Sequence, residues 1–205
     1  LCVVRSMYSN DPNHPGATYM MCSCNNRPGR PTMGAWVTYA LGSENQNLPG
    51  YVLLRPPGVF HSGGAMQMTN GWLPAIYRGT ELRSEGDPVL NLRRADTQPP
   101  GAQQNSLQLL GQLNQIQRQR FPDESVLDAR IKNYELAARM QLTAAAELDL
   151  SSETKETQLL YGLDNPETAP YGRQLMLARR LVERGVRFVQ VLSPGGHNVW
   201  DHHSK

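Results

Sequence analysis

The sequence predicts an α/β fold with a mostly parallel sheet between helices. A helical segment over residues 170–184 is followed by Gly185 and an apolar stretch at 186–192, which is the order of a βαβ unit. Near the beginning of the chain, apolar residues precede a polar loop and a short helix, an order common in α/β proteins. The 18 Gly and 15 Pro residues among 205 favour a loop-rich chain over a helical bundle.

Turn-forming residues divide the first quarter of the chain into short elements. Thr32 is positioned to cap a helix that ends at Gly42. The predicted elements are a buried strand over residues 1–7, a helix over 17–22, a helix over 33–41 and a strand over 51–54.

Residues 55–102 carry many Gly and Pro residues, with only short apolar pieces between them. A segment of this length and composition predicts a long excursion over the surface, and such excursions are usually functional or disordered. The segment is therefore a candidate surface for a protein partner.

Residues 103–143 are predicted to form two antiparallel helices that lie on the body of the fold. The first carries Leu and Ile at near-helical spacing and ends at Phe121 and Pro122. Asp123 or Ser125 can cap the second. Its apolar stripe is Leu127, Ile131, Tyr134, Ala138 and Leu142.

The last third of the chain is predicted to hold a short helix from residue 150 to 161 and then the helix at 170–184. The predicted buried stripe of the second helix is Leu175, Ala178, Leu181 and Val182. Its arginines are predicted to form a solvated polar face, comprising Arg173, Arg179, Arg180 and Arg184.

Composition excludes several classes of protein. The formal charge of +2 is far from the concentrated basic charge that indicates nucleic-acid binding. The sequence also lacks a run of about 18 apolar residues that would span a membrane. Cys2, Cys22 and Cys24 are too few for a disulfide framework, and the last two are too closely spaced for a zinc knuckle.

The strongest chemical cluster is the segment that follows the strand at 186–192. Asp201 and His203, with His202 between them, combine a carboxylate with imidazoles, which hold Zn²⁺ or Mn²⁺ in proteins. The alternative is a solvated group at a chain end or a purification remnant. Trp200 argues against a remnant, because a large aromatic residue favours a packed loop.

A second candidate site lies where the first helix begins. Asn13 and His14 precede a helix whose first backbone N–H groups favour an anion, so that His14 is a candidate base, metal ligand or nucleophile. The alternative is a helix-capping loop with a surface histidine.

Several segments are similar, as a set, to the bacterial domain-of-unknown-function family 1501. They are residues 29–39, 42–45, 48–49, 71–75, 87–92, 134–141, 149–151, 178–188 and 200–203. The resemblance runs over nearly the whole chain. It implies a sulfatase-related branch of the alkaline-phosphatase superfamily, in which phosphate or sulfate esters are hydrolysed at one or two metal ions and export behind a twin-arginine leader is usual.

The resemblance carries over to particular residues. Trp200, Asp201 and His203 match an element that looks like part of the superfamily's metal site. Asn13 and His14 fall roughly where relatives place a nucleophile, while the Cys-x-Pro-x-Arg sulfatase signature is absent, so formylglycine chemistry is not expected. The family's earlier metal-binding strand and its later segments would lie outside residues 1–205, so we expect this chain to be the central part of a single larger domain.

These observations lead to one expected function and one rival. The expected function is metal-dependent hydrolysis of a small-molecule or polysaccharide phosphate or sulfate ester, with Zn, Mn or Ca as the ion, in an exported protein of the periplasm or cell surface. The rival is a non-catalytic binding or structural protein that retains the fold.

Overall fold

A computed structural model describes residues 2–56, 63–83, 101–122 and 124–193. Its helices are α1 (His14–Ser23), α2 (Met33–Leu41), α3 (Ala102–Arg120), α4 (Ser125–Glu147), α5 (Lys155–Leu160) and α6 (Ala169–Glu183). Its strands are β1 (Tyr51–Arg55), β2 (Thr80–Arg83) and β3 (Phe188–Val191). Short 3-10 turns span Gly64–Met68, Ala75–Tyr77 and Leu150–Ser152.

The three strands form a parallel sheet in the order β2, β1, β3. In this register Leu54 lies between Leu82 of β2 and Val191 of β3. Parallel neighbours need crossover connections, which place helices over the sheet faces. The predicted α/β class with a parallel sheet is confirmed.

The central strand β1 is buried over its first four residues, as a strand covered on both faces should be. It contributes Val52 and Leu54 to an apolar core that also contains Leu82 of β2 and Leu177 and Leu181 of α6. Helix α6 therefore packs on the same core as the sheet.

The predicted stripe of α6 is right for two of its four residues. Leu181 is buried and Ala178 packs against the core, whereas Leu175 and Val182 are exposed, at 38% and 58% of their surface. Met176 and Leu177 are buried instead, and the buried face also includes polar Gln174 and Arg180, which a hydrophobic stripe does not count.

Arg180 of α6 contradicts the prediction of a wholly solvated arginine face. Only 7% of the residue is exposed, and its Nη1 lies 2.6 Å from Glu153 Oε1. Arg179 Nη2 lies 2.5 Å from the same carboxylate oxygen. The guanidinium groups of Arg179 and Arg180 thus both bind the carboxylate of Glu153, which links α6 to the turn before α5. Their hydrogen bonds lower the pKa of Glu153 below its ordinary value.

The prediction for the start of the chain is wrong. The described residues of the predicted strand at 1–7 form turn and coil, and Val3 and Val4 are exposed. The segment at 55–102, predicted as a long surface excursion, contains β2 and the two 3-10 turns before it. Residues 57–62 and 84–100 of that excursion lie outside the described residues.

Helices α3 and α4 occupy the segment predicted as a helical pair; a short link joins them, and an ion pair ties Arg118 Nε to Asp128 Oδ1 at 2.6 Å. Ile131 of α4 is buried in the body of the fold, whereas Leu110 and Ile116 of α3 are about half exposed. The predicted helix at 150–161 divides into a 3-10 turn and α5, because Thr154 caps α5 by accepting a hydrogen bond from Thr157 N–H.

Candidate functional site

The carboxyl ends of the strands meet at one edge of the sheet, where β1 ends at Arg55, β2 at Arg83 and β3 at Val191. Ligands of open α/β sheets bind outside this edge. Arg55 is tied down here: its Nε lies 3.2 Å from Glu81 Oε1, and its Nη2 donates to Gly64 O at 3.4 Å. The turn that follows β1 is thereby held to the strand ends.

Two contacts hold α1 beside the sheet. Cys22, in its last turn, accepts a hydrogen bond at 3.2 Å from Gln190 in β3. One turn earlier along the chain, Thr18 packs so closely on Gly63 that a Cβ on this glycine would lie 3.0 Å from Thr18 Cγ2. The next residue, Gly64, is the one whose carbonyl accepts from Arg55 at the end of β1, and His14 lies one helical turn before Thr18.

Asn13 and His14 are exposed at the beginning of α1. Asn13 is the N-cap residue, but its side chain makes no capping hydrogen bond. Its backbone N–H donates to Asp11 Oδ1 at 2.9 Å. Both predicted residues therefore lie at the surface, where α1 begins.

Asp11, which the sequence analysis did not single out, supplies the negative charge at the first turn of α1. Its carboxylate lies so close to Gly16 that a Cβ on that glycine would overlap it. A carboxylate is stabilised there by the partial positive charge of the helix N-terminus. The carboxylate of Asp11 thus lies where the sequence suggested that an external anion would bind. Its position two residues before the N-cap Asn13 is the feature of the sequence that could have predicted this.

Behind this edge, a polar network crosses from α1 to the sheet. The hydroxyl of Tyr51 lies 2.8 Å from Gln190 Oε1 and 3.0 Å from Gln67 O. Burial raises the pKa of Tyr51 far above its ordinary value and also raises the pKa of the Cys22 thiol. Cys22 is therefore a protonated hydrogen-bonding group at neutral pH and a poor nucleophile.

Asp201, His202 and His203 lie outside the described residues. Their segment follows β3, whose end at Val191 lies at the carboxyl edge, and Leu192 N–H donates to Leu54 O there. Within the described ranges, no group of three or more His, Cys, Asp or Glu side chains is arranged to hold a metal ion. The metal prediction thus depends on residues after 193.

Across the part of the chain that the structure describes, every helix is too short or too polar to cross a bilayer. This agrees with the expectation drawn from the sequence.

Comparisons with known proteins identify a family. No curated protein and no solved structure matches the chain. The sequence profile of a family described as "Protein of unknown function (DUF1501)" matches residues 1–205. The match spans the whole chain, and the chain therefore belongs to the DUF1501 family.

Proposed function

We propose that this protein hydrolyses phosphate or sulfate esters with the help of a divalent metal ion at the carboxyl edge of the sheet. One observation carries the proposal: Thr18, one helical turn after His14, packs on Gly63, and the next residue, Gly64, accepts a hydrogen bond from Arg55 at the carboxyl end of β1. The chain continues from the same end of β3 toward Asp201 and His203. The sulfatase-like resemblance supports the same chemistry.

The donor set fits a transition-metal ion. Asp201, His202 and His203 offer a carboxylate and imidazoles. Zn²⁺ and Mn²⁺ accept this mixture, whereas Ca²⁺ takes oxygen ligands. When bound, such an ion polarises the ester's phosphoryl or sulfuryl oxygens and lowers the pKa of a coordinated water.

The exposed residues of α1 have separate roles in this proposal. His14, when neutral, accepts the proton of the attacking water as a general base, or else serves as a further ligand. The amide of Asn13 donates to an ester oxygen and orients it. Asp11 keeps the first turn in place through the N–H of Asn13. Attack of water on phosphorus or sulfur breaks the bond to the ester oxygen, which leaves as the alcohol after taking up a proton.

The test is turnover of an aryl phosphate and an aryl sulfate by the purified full-length protein, with Zn²⁺ or Mn²⁺ added. Asp201→Ala and His203→Ala should abolish metal-dependent turnover, and His14→Ala should lower kcat. Glu156→Ala, which removes an exposed carboxylate in α5, is the matched control and should leave turnover unchanged. Absence of metal-dependent turnover, or equal rates in all the variants, would refute the proposal.

Export is part of the proposal, because the sulfatase-like resemblance implies it. Fractionation of the native host should recover the protein in the periplasm or at the cell surface. Recovery in the cytoplasmic fraction alone would contradict this.

One observation favours the rival, a binding protein without chemistry. Asp11 already supplies a negative charge at the first turn of α1, and this charge would repel a phosphate or sulfate ester. Asp11→Asn separates the two functions. If the protein is a hydrolase that binds its ester at the first turn of α1, this substitution should strengthen substrate binding. If the protein binds its ligand elsewhere, the substitution should leave the affinity unchanged.

A further inference from the structure

Four aromatic side chains form a continuous exposed ridge, which we call the aromatic ridge. Trp36 lies 6.3 Å from Trp72 and 6.0 Å from Tyr39, and Tyr39 lies 5.2 Å from Tyr77, measured between ring centroids. All three pairs meet edge to face. Trp36, Tyr39 and Trp72 are 44%, 50% and 61% exposed, although large aromatic side chains are usually buried.

The ridge is held in place by the backbone beneath it. Thr32 begins α2, and both its N–H and its hydroxyl donate to Thr69 O, at 3.1 and 3.0 Å. Gly71 has a φ of +53°, and a Cβ there would overlap the backbone at Pro31. The loop that carries Trp72 is thus packed against the chain that leads into α2. Rigid aromatic groups lose little entropy on binding a ligand.

A cavity of about 400 Å³, lined by both polar and apolar side chains, adjoins the ridge and lies within the size range of small-molecule sites. Tyr77 belongs to both, because it lines the cavity and contacts Tyr39. Helix α4 lines the side of the cavity that faces Tyr77, and it packs on the turn at Ala75–Tyr77. Amide side chains of Gln46 and Asn133 line the cavity and can hydrogen-bond hydroxyl groups.

The rim of the cavity is basic. Arg78, Lys132 and Arg139 line it, against the single carboxylate of Glu135. Arg139 is oriented by its Nε, which donates to Gln46 O at 2.9 Å. At the far end of the ridge, the guanidinium of Arg30 lies 5.8 Å from the centre of the Trp72 ring. Cationic side chains therefore stand at both ends of the aromatic ridge.

We propose that the aromatic ridge and the adjoining cavity bind an acidic carbohydrate chain. Sugar rings present apolar C–H faces that stack on aromatic rings, and their hydroxyl groups match amide side chains. Uronate or sulfate groups would pair with the basic rim. A protein partner would instead favour a dry, wholly apolar pocket beside the aromatic residues, whereas amide and charged side chains share the lining of this cavity with apolar ones.

This surface is separate from the proposed catalytic edge. The cavity is lined by Gly50 and Thr80, which lie at the amino ends of β1 and β2, opposite Arg55 and Arg83. The inference therefore goes beyond the proposed hydrolysis. Carbohydrate binding should persist in Asp201→Ala, so that failure of one proposal leaves the other standing.

The test is calorimetric titration with polygalacturonate, chondroitin sulfate and neutral dextran, at low and at physiological ionic strength. The acidic polymers should bind more tightly than dextran. Trp36→Ala and Trp72→Ala should each weaken binding by about tenfold. Trp72→Tyr should retain most of the affinity, which separates stacking from loss of fold. Lys132→Gln should weaken binding of the acidic polymers and reduce its salt dependence.

Matched controls come from elsewhere on the surface. Tyr8→Ala removes an exposed aromatic group, 77% accessible, and Lys155→Gln removes an exposed charge; neither should change the affinity. Three results would overturn the proposal: no binding to any of the polymers, equal affinity for dextran, or binding that the two tryptophan variants leave unchanged. Self-association that Trp72→Ala abolishes, without polymer binding, would also overturn it and would assign the ridge to a protein contact.

Discussion

Gly34 is the closest point of approach between α2 and the sheet. An ideal Cβ on this residue would lie 2.5 Å from Tyr51 Cε2 and 2.7 Å from Phe188 Cδ1. Neither ring can move freely, because the two pack edge to face at 5.4 Å and the Tyr51 hydroxyl is hydrogen-bonded to Gln190. Gly34→Ala should therefore force both rings out of place.

The expected magnitude is a balance of two effects. Overpacking a core costs about 1–3 kcal/mol, and replacing a helical glycine by alanine returns about 1 kcal/mol. The net change for Gly34→Ala is then a destabilisation of about 1 kcal/mol, rising to about 2 kcal/mol if the rings cannot relax.

Gly111 in α3 provides the matched control. It is also a glycine inside a helix, but a Cβ there would meet nothing within 4 Å. Gly111→Ala should stabilise the protein by about 1 kcal/mol. With an m-value of about 2 kcal/mol/M, the urea midpoints of the two variants should differ by about 1 M. If Gly34→Ala stabilised the protein as much as Gly111→Ala does, the packing of α2 on the sheet would be refuted.

Three further predictions follow from the same structure. Glu153→Gln should destabilise the protein by about 2 kcal/mol at neutral pH, because it removes the carboxylate that Arg179 and Arg180 share. Folding lowers the pKa of Glu153, so the difference in unfolding free energy between wild type and Glu153→Gln should be present above pH 4.5, the ordinary pKa, and should vanish as the pH falls through the lowered pKa of the folded state. Urea unfolding at a series of pH values measures this difference. A difference that does not change with pH would contradict the pairing. Cys22 should react with iodoacetamide more slowly than the exposed Cys24, as peptide mass spectrometry would detect, and equal rates would contradict its burial. Thr154→Ala removes the cap of α5 and should lower the free energy of unfolding by about 1 kcal/mol; no change in the urea midpoint would contradict that role.

Local signals in the sequence were sufficient for several elements. Thr32 and Gly42 bound α2 as predicted, because a helix needs a non-helical residue at each end. Even here one contact was not predictable: the Thr32 hydroxyl donates to Thr69 O instead of capping the helix. That partner lies 37 residues away, beyond the reach of a local pattern.

Other elements depended on tertiary partners. The strand β2 has a single apolar residue, Leu82, and was not predicted because a four-residue edge strand shows too little alternation. Arg180 was predicted to be solvated, because the pairing with Glu153 that permits its burial joins residues 27 apart in the sequence.

The local structure around Asn13 and His14 was predicted, but their role stays a prediction. The two residues were chosen for their position before a helix, and α1 does begin at His14 with Asn13 as its N-cap. The neighbouring charge of Asp11 and the network of Tyr51, Gln190 and Cys22 were not predicted, because they form only when α1 packs on β1 and β3. The predicted ligands Asp201, His202 and His203 lie outside the described residues and stay a prediction.

The proposed hydrolysis is tested most directly by measuring metal content and ester turnover on the same preparations of the full-length protein. Wild-type protein should hold a divalent ion and hydrolyse an aryl phosphate or aryl sulfate, and removal of the ion by a chelator should abolish turnover until Zn²⁺ or Mn²⁺ is restored. Asp201→Ala and His203→Ala should lose both the ion and the activity, while Glu156→Ala, at an exposed position in α5, keeps both. A wild-type protein that binds no divalent ion, or whose turnover survives in Asp201→Ala and His203→Ala, would contradict the proposal.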